Sequence, residues 1–224
     1  MLPLAFVIVV AYLVGSIPTS LIVSKFFYGI DIREHGSGNA GGTNAMRVLG
    51  FQPGMLVILV DFFKGYAASM LVAKLFYGPI PFNNRTPFED YTVVQIISGC
   101  AAIIGHTWTA FGGLRGGKGI ATACGVLIGL APIESLVSLG VFTVVLVLFR
   151  IVSLGSISAA LSLPLAMFAR HNVFHAELYG YHTLIYFSLG ITLLLVYNHR
   201  SNIKRLLEGR EHRLSAVRLK KKHK

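Results

Sequence analysis

"GIATACGVLIGLAPIESLVSLGVFTVVLVLFR", residues 119–150, carries only two charges, Glu134 and Arg150. It reads either as one long membrane span or as two short ones broken at "APIE", residues 131–134. The choice decides the topology of the whole chain. Two spans put "GSGNAGGTNAMR" (36–47), "GGLRGGK" (112–118), Arg150 and the basic C-terminal tail on one side of the bilayer. One span would put the tail opposite both glycine-rich loops. Under the two-span reading Arg33, Arg47, Arg115, Lys118, Arg150 and the tail face the cytoplasm. Only Arg85, in "GPIPFNNRTPFED", and Arg170, in "RHNVFHAELYG", then lie outside, which is the positive-inside pattern. The sequence therefore predicts seven spans, N-terminus out and C-terminus in. The fourth span is expected to be short, roughly 12 to 15 residues at 1.5 Å each against a ~30 Å hydrocarbon core. Its N-terminus should sit below the headgroups, buried in protein.

The rest of the chain supports a membrane protein. Hydrophobic residues make up 54% of it and charged residues 13%, with a mean hydropathy of +0.67, whereas soluble domains carry about 25% charged residues. Apolar runs recur at about 3–27, 54–77, 91–112, 119–131, 133–149, 151–169 and 181–197, each judged against the roughly 20 residues a span needs. At 224 residues the chain has room for these and short loops, so one domain covering 1–224 is expected. The first run, "LPLAFVIVVAYLVGSIPTSLIVSKFF", lacks the basic start and small-residue cleavage site of a signal peptide and reads as a retained span. "GSIPTS", "GCAAIIG" and "GSISAALS" are small-residue patterns that let helices pack closely.

The net charge of +11 is concentrated at one end: ten of the twenty Lys and Arg lie from residue 199 onward, against Glu208 and Glu211. Such a tail, about 199–224, suits an anionic leaflet. It has no interleaved aromatics, so nucleic acid is not an expected partner. Cys100 and Cys124 sit in apolar segments and imply no disulfide framework. No Cys, His and carboxylate cluster has metal-ligand spacing, so neither metal nor cofactor is expected.

Four polar constellations interrupt the apolar background. "GGLRGGKGIATA" places Gly112, Gly117 and Lys118 as a nucleotide-binding loop would, but Gly119 replaces the Mg²⁺-ligating hydroxyl and an apolar helix precedes it, which argues against a nucleotide hydrolase. Its glycines, helix N-terminus, Lys118 and Arg115 still suit an anion. "GSGNAGGTNAMR" gathers Ser37, Asn39, Thr43, Asn44 and Arg47 among four glycines, a donor-rich set that suits the hydroxyls and phosphate of a small polar ligand. Asp61 and Lys64, at i and i+3 inside an apolar helix, can pair, and His106 ends the third span just before the glycine loop. His199 and Asn202 lie three apart where the last span meets the tail. No His is followed five residues later by Asp, and no G-x-S-x-G elbow occurs, which removes two common acyl-transfer arrangements. A transporter for a phosphorylated anion would also aim helix ends at its ligand. It needs a polar route to both faces, however, and here the donors cluster on one.

"GSGNAGGTNAMR", "GHTWTAFGGLRGGKGIATA" and "HRSNIKRLLEGRE", with "DFFKG" between the first two, resemble the three signature motifs of the bacterial acyl-phosphate-dependent glycerol-3-phosphate acyltransferases, in order and spacing. The resemblance covers essentially the whole chain. It implies an all-α, seven-span enzyme of the bacterial cytoplasmic (inner) membrane, read as a monomer, with its active site on the cytoplasmic face. Acyl phosphate and glycerol-3-phosphate are the implied substrates and lysophosphatidate and phosphate the products, with no cofactor. By motif position it implies catalytic roles for Ser37, Arg47, His106, Lys118 and Asn202. Substrate contacts are implied for Gly36, Gly38, Asn39, Gly42, Thr43, Asn44, Lys64, Arg115, Gly116, Gly117 and His199. Thr109 stands where the family usually has Pro, and Arg115 where Lys is common.

Overall fold

The computed structural model describes residues 3–76, 90–178 and 180–213. The loop carrying Arg85 and the tail beyond residue 213 lie outside them. The described chain is overwhelmingly helical. α1 (Leu4–Gly15) and α2 (Thr19–Tyr28) come first, followed by α3 (Gly42–Leu49) and α4 (Phe51–Ala67). Next come α5 (Asp90–Thr107), α6 (Ile120–Leu130), α7 (Pro132–Phe149) and α8 (Val152–Phe168). α9 (Tyr181–Asn198) and α10 (Arg200–Leu207) complete the order.

Six helical segments are long and apolar enough to cross a membrane: Leu4–Tyr28, Phe51–Leu75, Tyr91–Gly112, Pro132–Phe149, Val152–Val173 and Tyr181–Asn198. The decisive stretch does break where expected. Ala131, at φ −144° and ψ 72°, separates α6 from α7, and Pro132 opens α7, where its missing N–H costs nothing. α6 has 11 residues, fewer than a span requires.

The first apolar run, read from sequence as one retained span, is built from two helices. α1 ends at Gly15 and α2 begins at Thr19, with Ser16, Ile17 and Pro18 between them. Pro18 removes a backbone donor, and hydropathy does not register such a break. "GSIPTS" thus serves two purposes. Gly15 packs against the backbone of Ala102, as a small-residue contact would, while Ser16 and Ile17 turn their carbonyls toward the site described below.

The principal helix pairs are α7 with α8, α4 with α6, α1 with α5, and α3 with α4. α6 lies close against α4 because Gly65 meets the Thr122 backbone and Gly125 meets the Phe62 backbone, where any Cβ would collide. One apolar core joins Ile103, Val126, Leu127, Leu163, Met167, Leu184 and Leu195. A second joins Val7, Ala11, Ala68, Val94 and Ala102. Val147, Leu148, Leu165 and Leu193 stay exposed on α7, α8 and α9, the outward apolar surface that lipid covers in a membrane bundle.

Candidate active site

The three polar segments meet at one end of the bundle. The first is ordered by Asn44, on the first turn of α3. Its Oδ1 accepts from the Ser37 N–H at 2.8 Å, and its Nδ2 donates to the carbonyls of Ile32 (3.1 Å) and His35 (2.9 Å). Gly36, at φ +63°, lies so close to the Asn44 amide that a Cβ there would overlap it. Both amide donors of Asn44 are committed to the loop, which redirects it from the expected ligand contact to ordering the segment that presents Ser37. Ser37 itself is exposed, and Arg47 is exposed with its Nη1 3.5 Å from Asn44 Oδ1. Asn39, Gly42 and Thr43 are half-buried, and Gly38 is exposed.

Arg33 ties this segment to the second. Its guanidinium pairs with Asp31 at 2.8 Å and donates through Nη1 to the Gly112 carbonyl at 2.8 Å. The Arg33 hydrogen bonds hold the Asp31 carboxyl well below the usual carboxylate range. In the second segment Thr109 takes φ −67° and ψ 125°, the backbone that a proline would lock. Its hydroxyl donates to the Ser16 carbonyl, and the Ala110 N–H donates to Ser16 Oγ at 3.3 Å. The loop then runs back along the end of α5, where the N–H groups of Gly116 and Gly117 donate to the carbonyls of Thr107 and His106, each at 3.1 Å. A Cβ on Gly116 would overlap the His106 carbonyl, and one on Gly117 would overlap His106 Nε2. Arg115 points outward and is exposed.

Behind the glycines lies a buried polar group. Asp61 is 2% exposed, Lys64 7% and His106 7%. Asp61 Oδ1 accepts from Thr19 Oγ1 at 3.0 Å and lies 2.8 Å from Lys64 Nζ and 3.6 Å from His106 Nδ1. Lys64 Nζ also donates to the Ile17 carbonyl at 3.1 Å, so the break in the first span supplies an acceptor. These residues, with Thr109, Gly116 and Gly117, line a small pocket of about 10 Å³, space for roughly one water. Lys64 is thus engaged by protein on two of its three donors, whereas the sequence reading expected it to meet substrate.

The third segment closes onto Lys118. The Lys118 ammonium donates to Asn202 Oδ1, and Asn202 Nδ2 donates to Glu211 Oε1 at 2.6 Å. Glu211 also accepts from Arg205 Nε at 2.7 Å and from Ser153 Oγ at 2.8 Å. Burial pushes the Lys118 ammonium down to about 8, with Arg205 and Arg47 adding repulsion against the pull of Glu211. Burial works against ionisation of Glu211, but the hydrogen bonds from Arg205, Asn202 and Ser153 outweigh it and hold the carboxyl below its usual range. His199 is buried; burial, and then the Lys118 cation, push it down to about 4. Its Nδ1 lies 2.7 Å from the Leu195 carbonyl. A neutral imidazole donating there keeps Nε2 as an acceptor.

Three cations, Lys118, Arg47 and Arg205, therefore gather around one carboxylate, an arrangement that favours a bound dianion. Sequence reasoning missed Glu211, Arg205, Ser153 and Thr19, and noted Thr109 only as a departure from the motif. Glu211 was visible only as one of two acids in a basic tail, and Ser153 only as a small residue on a helix; neither spacing nor period connects them to Lys118. Among the described residues no group of three His, Cys, Asp or Glu side chains is placed to hold a metal ion.

Residues 5–209 match the family described as glycerol-3-phosphate acyltransferase. Among relatives, the glycerol-3-phosphate acyltransferase of Chlorobaculum tepidum is 45% identical over 232 residues, spanning 96% of this chain and 98% of its own. That of Chlorobium chlorochromatii is 44% identical over 234 residues, with the same coverage. The fold is similar to crystal structures of PlsY (YgiH), an integral membrane glycerol 3-phosphate acyltransferase. The TM-score is 0.79 for its glycerol 3-phosphate form and 0.76 for its lysophosphatidic acid form, at 36% identity over 95% of this chain.

Proposed function

The chain belongs to the glycerol-3-phosphate acyltransferase family, an integral membrane acyltransferase, and from that premise we propose that it moves a fatty acyl group from acyl phosphate to the 1-hydroxyl of glycerol-3-phosphate. The observation that carries this reading is the cluster of Lys118, Arg47 and Arg205 around the single carboxylate of Glu211, at the meeting point of all three polar segments. Two phosphates must come together in this reaction, and cations placed before either arrives stabilise the charge without reorganisation.

Transfer is direct. The acceptor hydroxyl oxygen attacks the acyl carbonyl carbon, the bond from that carbon to the phosphate oxygen breaks, and the hydroxyl proton leaves with the released phosphate. Holding the hydroxyl against the carbonyl supplies much of the rate, and acyl phosphate already has a good leaving group. Lys118 and Arg47 bind phosphate, with Arg115 at the rim. Ser37 and Thr43 supply hydroxyl donors to phosphate and oxyanion, and Gly36, Gly38, Gly42, Gly116 and Gly117, without side chains, let the substrates approach the backbone closely. Asn39 and Asn202 orient the acceptor. His199, neutral with Nε2 as acceptor, suits a glycerol hydroxyl better than a phosphate. His106 borders the glycine backbone. No cofactor takes part.

The seven-span topology with both termini as expected, one domain over the whole chain, a monomer, and placement in a bacterial cytoplasmic membrane with the site facing inward belong to the same proposal. They are supported by the six long apolar segments, by the short α6 buried behind α4, and by the positive-inside distribution of Arg and Lys.

The test is phosphate release by purified protein in detergent or lipid, with palmitoyl phosphate in the presence and absence of glycerol-3-phosphate, and palmitoyl-CoA in parallel. Release that needs glycerol-3-phosphate, vanishes in Lys118→Met and is not replaced by the CoA ester is the expected result. Equal turnover with palmitoyl-CoA, or an acyl-enzyme ester found by mass spectrometry, would refute the donor or the direct mechanism respectively.

A further inference from the structure

The Asp61 carboxylate takes part in none of the steps above, yet three elements converge on one of its oxygens. Oδ1 meets Thr19 at the start of α2, Lys64 one turn along α4, and His106 at the end of α5. The group is closed in charge, with one carboxylate and one ammonium, so it offers a second phosphate none of the net attraction found around Lys118. A buried pair of this kind is weak evidence for stability, because desolvation of both charges offsets their attraction. Its geometry points elsewhere. His106 Nδ1 faces Asp61, its Nε2 abuts the Cα of Gly117, and its carbonyl accepts the Gly117 N–H at 3.1 Å. The imidazole is therefore wedged between a fixed carboxylate and the backbone that carries Lys118.

We propose that Asp61 is a positioning residue that acts through His106: by fixing the imidazole it fixes Gly117 and hence the Lys118 ammonium in the acyl-transfer site. Thr19 and Lys64 hold the carboxylate in place, and the break at Ser16–Pro18 exists in part to supply the Ile17 carbonyl that anchors Lys64. The inference rests on the acyltransferase reading for its readout, so wild-type protein is measured first. A wild type without glycerol-3-phosphate-dependent phosphate release overturns the function and this inference with it. A wild type that turns over separates the two.

With an active wild type, Asp61→Asn, His106→Ala and the double variant are compared in the same assay. A small misplacement of a catalytic cation costs about 100-fold, so each single variant should lose about that factor in kcat, with KM for glycerol-3-phosphate changed by less than about threefold. Because both act through one contact, the double variant should fall within about threefold of the weaker single one. Losses that multiply to about 10⁴-fold, or an Asp61→Asn protein within about threefold of wild type, overturn the proposal. Asparagine leaves Lys64 buried without a counter-charge, so Asp61→Asn/Lys64→Met, which removes both charges, is run in parallel and checked by size exclusion and thermal unfolding. A folded protein with the same kcat loss and no further loss on adding His106→Ala sustains the proposal. A folded protein with wild-type kcat overturns it, as does failure of both to fold, which would make Asp61 a structural residue.

Discussion

Lys118 and Asn202, separated by 84 positions, are joined side chain to side chain, and through Asn202 Lys118 reaches Glu211. This contact joins the second polar segment to the third. It also fixes the Asn202 amide: with Nδ2 committed to Glu211, Oδ1 faces the ammonium.

The depressed ammonium gives a pH dependence. Burial holds the Lys118 ammonium down to about 8, so it is charged below that pH and loses its charge as pH rises through it. kcat/KM for glycerol-3-phosphate should therefore decline above pH about 8, since that parameter reports the free enzyme. The kcat profile should decline at higher pH, because a bound phosphate favours the ammonium. In Lys118→Arg the decline in kcat/KM should vanish, as arginine stays charged; a decline that persists would place it on another group.

Glu211 anchors the third segment. Glu211→Ala leaves Arg205, Asn202 and Ser153 without their shared acceptor, at a cost of roughly 1–3 kcal/mol. The expected result is a lowered Tm together with reduced activity. Glu211→Gln should keep the Ser153 contact and recover part of the Tm but little activity, because an amide does not balance the cations around Lys118.

Gly117→Ala tests the close approach at the second segment. The added methyl overlaps His106 Nε2, and displacement of the loop should lower kcat/KM by about 100-fold while membrane insertion and yield are unchanged. Near-normal kinetics in a folded Gly117→Ala protein would mean that the loop is free to move away from His106.

Arg33→Gln should raise KM for glycerol-3-phosphate more than it lowers kcat. It removes the bond from Nη1 to the Gly112 carbonyl that ties the two glycine-rich segments, without touching Lys118. Steady-state kinetics at saturating acyl donor would distinguish this from a loss confined to kcat.

Thr109→Pro should be tolerated. The backbone already holds φ −67°, and the hydroxyl bond to Ser16 that is lost is worth about 1 kcal/mol, against a gain of about 0.4–1 kcal/mol from a stiffer unfolded chain. Tm within a few degrees of wild type, with activity retained, is the expected outcome; a severely inactive Thr109→Pro would show that the hydroxyl itself shapes the site.

The residue types at the site and its membrane setting were legible in sequence for a physical reason. Long apolar runs report burial in lipid whatever their partners, and glycines, cations and hydroxyls interrupting such runs are too costly there to be incidental. The break at "APIE" and the pairing of Asp61 with Lys64 followed from parity and helical period, and parity also put Lys118 and Asn202 at the same end, where they meet. What the tertiary structure alone decided depends on contacts between segments far apart in the chain. The first apolar run breaks before Thr19 so that Ile17 and Ser16 turn their carbonyls to Lys64 and Thr109. Asn44 has both donors drawn into its own loop, and a glutamate of the basic tail becomes the counter-charge of the site. Hydropathy and spacing act along the chain, whereas these roles arise from buried polar atoms that must find partners wherever packing brings them.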